Sequence, residues 1–359
     1  GTIMLLLSIL PVCALALATP SRSTTYAREL SAALDVVTLA SRAAAAMQRR
    51  AVASVTKVDA SPVTVADFTV QALILGCLAE AFPADRFIAE ETSVQLLSSD
   101  AAVREAIVAA VGEFGGGAPN EEAVCAALDL GGTGVVDGWS SAGGRTWVLD
   151  PIDGTKGFVR GDQFAVALAL LDGGRPVLGL LGCPKADRPL QDGALYWAER
   201  GHGAFCRAVA DGCAADDVPM RVDPLTAAER VVRCEAAEAA HTSFGRSAAA
   251  LAALGFDKAE PIRIDGQGKY GLVACGEAHV YTRLPRAGYV ENIWDHAAGA
   301  CIIEEAGGRV SDLDGQPLDF ARGASLGAHV TGIVATNGVL HDAVLDALSA
   351  AGSRTEAKG

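Results

Sequence analysis

Trp147-Val148-Leu149-Asp150-Pro151-Ile152-Asp153-Gly154-Thr155-Lys156-Gly157-Phe158-Val159-Arg160-Gly161 is the most informative stretch of the chain. The apolar run Trp147 to Leu149 reads as the end of a strand. It should stop at Asp150, because Pro151 lacks a backbone donor and blocks further pairing. Asp153-Gly154 predicts a turn, and Thr155 can open the next element. Two carboxylates then sit on a rigid turn beside backbone carbonyl and N–H groups. Carboxylates this close repel one another unless a cation neutralises them. A hard cation such as Mg²⁺ takes oxygen ligands and borrows others from a substrate phosphate. A solvated turn is the alternative for an isolated Asp-x-x-Asp; the strand and turn around this one favour the cation.

Asp150 to Thr155 resembles the signature of the lithium-sensitive, Mg²⁺-dependent phosphatases, the inositol monophosphatase superfamily. Lys156 to Gly161 is similar to the 3′(2′),5′-bisphosphate nucleotidase branch of that superfamily. The likeness runs from about Tyr26 to the last helix. It implies a layered αβαβα sandwich, an α/β (α+β) fold of the inositol monophosphatase/fructose-bisphosphatase type.

Other segments carry the same likeness. Ser61-Pro62-Val63-Thr64-Val65-Ala66-Asp67 resembles the branch's first acidic motif. It is expected to end an extended segment and enter a helix from Asp67 to Leu78. Read alone, Asp67 is an acid at a helix N-terminus; the resemblance makes it a metal ligand that helps activate water. Phe87 to Thr92 reads as a strand end with paired acids. Glu90 maps onto a metal ligand, with Glu91 tuning it or capping the next turn. Glu291 to Gly299 opens a helix to Glu305 and resembles the C-terminal signature. There Asp295 is the last ligand, and His296 reads as a packed helix residue.

Ile264-Asp265-Gly266-Gln267-Gly268-Lys269-Tyr270 and Tyr281-Thr282-Arg283-Leu284-Pro285 resemble the nucleotide-binding part of these enzymes. Lys269 and Arg283 map onto phosphate partners lying away from the metal motifs, and His241 onto a nucleotide contact. Where the family has Ser, this chain has Gly266, so a hydroxyl donor is expected to be missing.

Composition bounds the rest. Half of the 359 residues are hydrophobic, enough for a large core or two fused ones. The formal charge of −14 repels a nucleic-acid polymer. The nine cysteines form no C-x-x-C pair, which argues against zinc, and their odd number suits buried thiols. Cys206 and Cys213 are close enough in sequence to form a redox pair. Residues 1–25 read as a targeting leader. Ile3 to Ala18 is short for a transmembrane helix, and no membrane partner is expected. Ala16-Leu17-Ala18 resembles a peptidase site, and Ser21 to Thr25 is Ser/Thr-rich. Import into a chloroplast or mitochondrion is the expected fate, with the cytoplasm or a secretory route as alternatives.

Tyr26 to Arg50 reads as an amphipathic helix. Val94 to Arg145 reads as an insertion with a helix at Ala101 to Val111 and Gly-rich breaks. Gln163 to Glu199 reads as an antiparallel meander. From Arg230 strands and helices alternate, which suggests halves at 26–223 and 224–359, with the site between them.

The resemblance implies that Asp67, Glu90, Asp150, Asp153, Asp295 and the Ile152 carbonyl hold more than one Mg²⁺. Thr155, paired with Asp67, would orient and deprotonate water, and the N–H groups of Gly154 and Thr155 would hold phosphate. It implies hydrolysis of adenosine 3′,5′-bisphosphate to AMP and phosphate, with 3′-phosphoadenylyl sulfate as a second substrate. Inositol 1,4-bisphosphate is the alternative substrate. A nucleotide sensor with little turnover is the alternative class.

Overall fold

The computed structural model describes residues 24–53, 62–135, 144–187, 189, 193–209, 216–237, 244–286 and 288–356. The leader up to residue 23, His241 and Cys213 therefore lie outside the described residues.

Helix α1 (Ala27–Ala53) buries Leu30, Ala33, Leu34, Val37, Ala40, Ala44 and Met47. These positions recur three or four apart, so they share one face. Helix α2 (Pro62–Ala81) is apolar nearly all round and is buried accordingly. It starts five residues earlier than the sequence suggests. Proline is favoured in the first helical turn, where its missing N–H has no intrahelical partner to lose. Asp67 therefore sits in the second turn, not at the N-terminus. Ala27–Val52 and Thr64–Ala81 are long and apolar enough to cross a membrane, but their apolar side chains belong to the core.

A seven-stranded sheet runs in sequence order: β1 (Arg86–Ala89), β2 (Arg145–Asp153), β3 (Ala165–Asp172), β4 (Arg175–Cys183), β5 (Ala194–Glu199), β6 (Gly203–Ala208) and β7 (Val218–Met220). Only β1–β2 is parallel; the expected meander forms β3, β4 and β5. Between β1 and β2 the chain forms α3 (Ser93–Leu97), α4 (Ala101–Gly115) and α5 (Glu121–Asp129). The last of these is a helix the glycine-rich sequence did not suggest. Asn120 caps it, its side chain accepting from Ala123 N at 2.8 Å.

A five-stranded sheet has the order β11 (Arg309–Asp312), β12 (Ile333–Thr336), β10 (Val280–Arg283), β8 (Arg233–Glu235) and β9 (Ile262–Arg263). Alternation along β3 assigns its faces. Val166, Leu168 and Leu170 join the core under α1 and α2. Ala165, Ala167 and Ala169 face a second core, shared with α8 (Gly268–Ala274) and α9 (Ala297–Glu305). Those helices lie between the sheets, and small strand residues let them approach. Helices α7 (Phe244–Ala253) and α10 (His341–Glu356) pack against Val280 and Val334 of the second sheet. The layers are thus αβαβα.

Among the described residues the cysteines are free thiols. Cys206 is buried in β6, and burial pushes its thiol up to about 11. A thiolate is the reactive form, so this environment keeps Cys206 inert.

Candidate metal centre and nucleotide pocket

Strand β2 does not stop at Asp150. It continues to Asp153, with a register shift: Asp150 opposes Ala167 and Asp153 opposes Ala165. Three steps on β2 match two on β3, which is a bulge. Pro151 is tolerated there because a bulge leaves backbone groups out of the ladder. Adjacent strand residues point to opposite faces, so the extra residue brings both aspartates to one side. Carboxylate oxygens of Asp150, Asp153 and Asp295 all lie within 4.8 Å of one another.

Glu90 and Asp67 join this cluster. Burial, then Glu91 and Asp153, pushes Glu90 up to about 7. Burial, then Glu91 and Glu90, raises Asp67 well above the carboxylate range. Asp150 is raised by burial and by Asp153, Glu90, Asp295 and Asp67. Asp295 is pushed up to about 6, chiefly by burial, against the opposing pull of Arg283. Asp150 Oδ1 is buried without a hydrogen-bond partner. Crowded carboxylates and an orphaned oxygen suit a hard divalent cation, so these residues fit Mg²⁺.

The turn carrying Glu90 is pinned by Gln71, one helical turn beyond Asp67 on α2. Gln71 Nε2 donates to the Glu91 carbonyl at 2.6 Å, and the Glu91 N–H donates to Gln71 Oε1 at 2.9 Å. The sequence reading missed Gln71; its i+4 spacing from Asp67 was the available signal. Glu91 does not cap the next turn. Thr92 does, in a capping box with Gln95.

Thr155 opens α6 (Thr155–Arg160). Its hydroxyl donates to the Ile152 carbonyl at 3.3 Å. Among the described residues no Thr155–Asp67 hydrogen bond occurs, so the expected pairing is absent here. The Ile152 carbonyl keeps a second lone pair for another partner.

Glu90, Asp150, Asp153 and Asp295 open into a cavity of about 280 Å³, whose wall also includes Gly154, Thr155, Lys156, Gly266, Lys269 and Arg283 but not Asp67. Lys269 lines it, yet it is neither solvated nor free to swing. Its ammonium donates to the carbonyls of Ile264 at 3.2 Å and Gly266 at 2.7 Å, and it is 5% exposed. Arg283 is not remote from the metal motifs. Its Nε donates to Glu291 at 2.7 Å, and Nη2 lies 3.8 Å from Asp295. Glu291 is held down to about 2 despite burial by its contacts with His296 and Arg283.

Gly266 has φ 70°, and a Cβ there would lie 2.4 Å from the Asp153 carbonyl oxygen. The position takes glycine for steric reasons. Its difference from the family's Ser is more than a missing hydroxyl.

The sequence profile of the inositol monophosphatase family matches residues 23–353. A 3′(2′),5′-bisphosphate nucleotidase from Emericella nidulans is 38% identical over 332 residues, 83% of this chain and 91% of that protein. One from Oryza sativa is 40% identical over 348 residues, 90% of this chain and 94% of that protein. Inositol monophosphatase-II from Staphylococcus aureus shares the fold, with a TM-score of 0.58 at 18% identity over 90% of this chain and 96% of that one. The carboxylate cluster at the β2 bulge thus lies within a profile match covering most of the sequence, and the chain belongs to the inositol monophosphatase family.

Proposed function

We propose that this chain is a Mg²⁺-dependent phosphatase. It removes the 3′-phosphate of adenosine 3′,5′-bisphosphate, giving AMP and phosphate, with 3′-phosphoadenylyl sulfate as a second substrate. One observation carries the reading. The carboxylates Glu90, Asp150, Asp153 and Asp295 share a single cavity with Lys156 and Arg283. An anion with two phosphates matches such a wall, one phosphate at the carboxylates with their cations and one at the bases. Relatives that bear the nucleotidase name support the substrate class.

Asp67, Glu90, Asp150, Asp153, Asp295 and the Ile152 carbonyl would hold more than one ion. When bound, Mg²⁺ supplies Lewis-acid stabilisation of phosphoryl charge and lowers the pKa of water. Thr155 and Asp67 are assigned to orienting the attacking water and taking its proton. The Gly154 and Thr155 N–H groups, at the start of α6, hold phosphate oxygens. Arg283 offers its guanidinium edge to the phosphate that is not cleaved.

Phosphate release should be measured on adenosine 3′,5′-bisphosphate, 3′-phosphoadenylyl sulfate and inositol 1,4-bisphosphate, with Mg²⁺ and with EDTA. The proposal expects the adenosine substrate to lead and EDTA to abolish turnover. A lead for the inositol substrate, or nucleotide binding without a single turnover, would overturn it.

A further inference from the structure

Arg283 stands between two anions. Its nearer partner is Glu291, at 2.7 Å, and the farther is Asp295, at 3.8 Å. Glu291 is itself fixed from behind. His296 Nε2 meets Glu291 Oε2 at 3.1 Å, and the Tyr270 hydroxyl meets His296 Nδ1 at 2.8 Å. The Tyr270 hydroxyl can donate to Nδ1, which leaves the Nε2 side of the imidazole to donate to the Glu291 carboxylate. Both carboxylate oxygens of Glu291 are then bonded, one to Arg283 and one to His296. Glu291 and His296 are fully buried and Tyr270 is 1% exposed.

Gly299 makes this arrangement possible. A Cβ there would lie 2.3 Å from Tyr270 Cγ, so only glycine lets the ring rest against α9. Tyr281 closes on the other side, edge to face at 5.2 Å. Arg283 and Asp295 line the cavity, whereas Tyr270, His296 and Glu291 do not. The row Tyr270–His296–Glu291 therefore supports the site from outside it.

The alternative position of Arg283 has a chemical cost. A guanidinium and a carboxylate close into a bidentate pair when nothing holds them apart. Such a pair would occupy the oxygens of Asp295 and cancel its charge. We infer that Glu291, fixed by Tyr270 and His296, is a positioning residue that keeps Arg283 off Asp295 and so leaves Asp295 available to a divalent cation. This role rests on the metal-dependent reading of the same cluster.

Mn²⁺ is the probe, titrated by electron paramagnetic resonance against purified full-length protein without substrate. Glu291→Gln keeps the shape but removes the charge, so Arg283 turns to Asp295. Mn²⁺ affinity should fall about tenfold, the lower end of what outer-shell changes cost at metal sites. Glu291→Gln combined with Arg283→Met removes the competing cation as well and should restore binding towards the wild-type value. That rescue separates positioning from a general loss of structure. Tyr270→Phe deletes one hydroxyl and should give a smaller loss of the same sign. It decides the matter if Glu291→Gln does not fold. Unchanged Mn²⁺ binding in Glu291→Gln, or in Tyr270→Phe where that is the variant available, overturns the positioning role. So does a double variant as weak as the single one. A wild-type protein that binds no Mn²⁺ refutes the metal-dependent reading itself.

Discussion

Gly154 and Gly266 pack backbone against backbone. A Cβ on Gly154 would lie 2.9 Å from the Gly266 nitrogen, and one on Gly266 would lie 2.4 Å from the Asp153 oxygen. Both residues have positive φ, 93° and 70°. The turn that carries Asp153 thus rests directly on the turn that leads to Lys269, with the Asp265 Cβ at the edge of the contact. Displacing either turn moves a carboxylate of the cluster.

Gly266→Ser is expected to damage the protein, although it restores the family's usual residue. A left-handed backbone costs a non-glycine residue about 1–3 kcal/mol, and the new Cβ pushes on Asp153. Thermal unfolding should show lower stability, and kcat/KM should fall with it. A variant as stable as wild type with improved turnover on the bisphosphate would refute this.

Asp150→Asn should separate stability from activity. The buried carboxylate is crowded by Asp153, Glu90 and Asp295, so removing its charge relieves repulsion. Without metal, the variant should melt above wild type. The stabilisation given by Mg²⁺ should shrink, and activity should fall by several kcal/mol of transition-state stabilisation, on the order expected of a lost metal function. Melting curves with and without Mg²⁺, beside turnover, check all three; an unchanged Mg²⁺ shift would remove Asp150 from the centre.

Thr155→Ala should lower kcat with little change in KM, because the hydroxyl is assigned to the water and not to ground-state binding. Steady-state kinetics at saturating Mg²⁺ reads the split. A change confined to KM would make Thr155 a substrate-positioning group.

His341 predicts an acid-labile side of the stability profile. It is fully buried between hydroxyls, 2.8 Å from Ser311 and 3.0 Å from Thr336. Burial, helped by Arg309, pushes it down to about 4 from the ordinary 6.5. The unfolded chain then binds the proton more readily than the folded one. Its contribution to stability is complete above about 6.5 and is lost as pH falls towards 4. Urea midpoints across that window should decline for wild type and decline less for His341→Gln. Parallel profiles would assign the acid sensitivity elsewhere.

Much of the carboxylate cluster was legible because its members sit in local motifs. Asp150 and Asp153 flank the β2 bulge, Glu90 follows β1, and Asp67 and Asp295 stand on helical turns, and the fold brings these places together. Pro62 marks the start of α2 as well, although the segment up to Asp67 reads as extended. What was hidden depended on partners distant in sequence. Arg283 reads as a free base until Glu291 and His296 are seen behind it. Lys269 reads as a ligand-facing charge until its ammonium is found on the carbonyls of Ile264 and Gly266. Gly266 reads as a lost hydroxyl because its neighbour, the Asp153 carbonyl, comes from the other sheet's side of the cavity.

The β2 bulge has a consequence for how this centre can change. Asp150 and Asp153 are separated by an odd number of steps, and one unmatched residue corrects the phase between them. Point substitutions alter side-chain chemistry while leaving that parity alone. Losing either Pro151 or Ile152 would make the separation even, and a regular strand would then aim both side chains to one face without a bulge. Both aspartates would survive the deletion, but the Ile152 carbonyl and the turn at Gly154 would shift by one residue against β3. Within this segment, sequence length should therefore be held more tightly than sequence identity at the residues between the two aspartates. Drift here should proceed by replacement, and a gained or lost codon should be the rarer and costlier event.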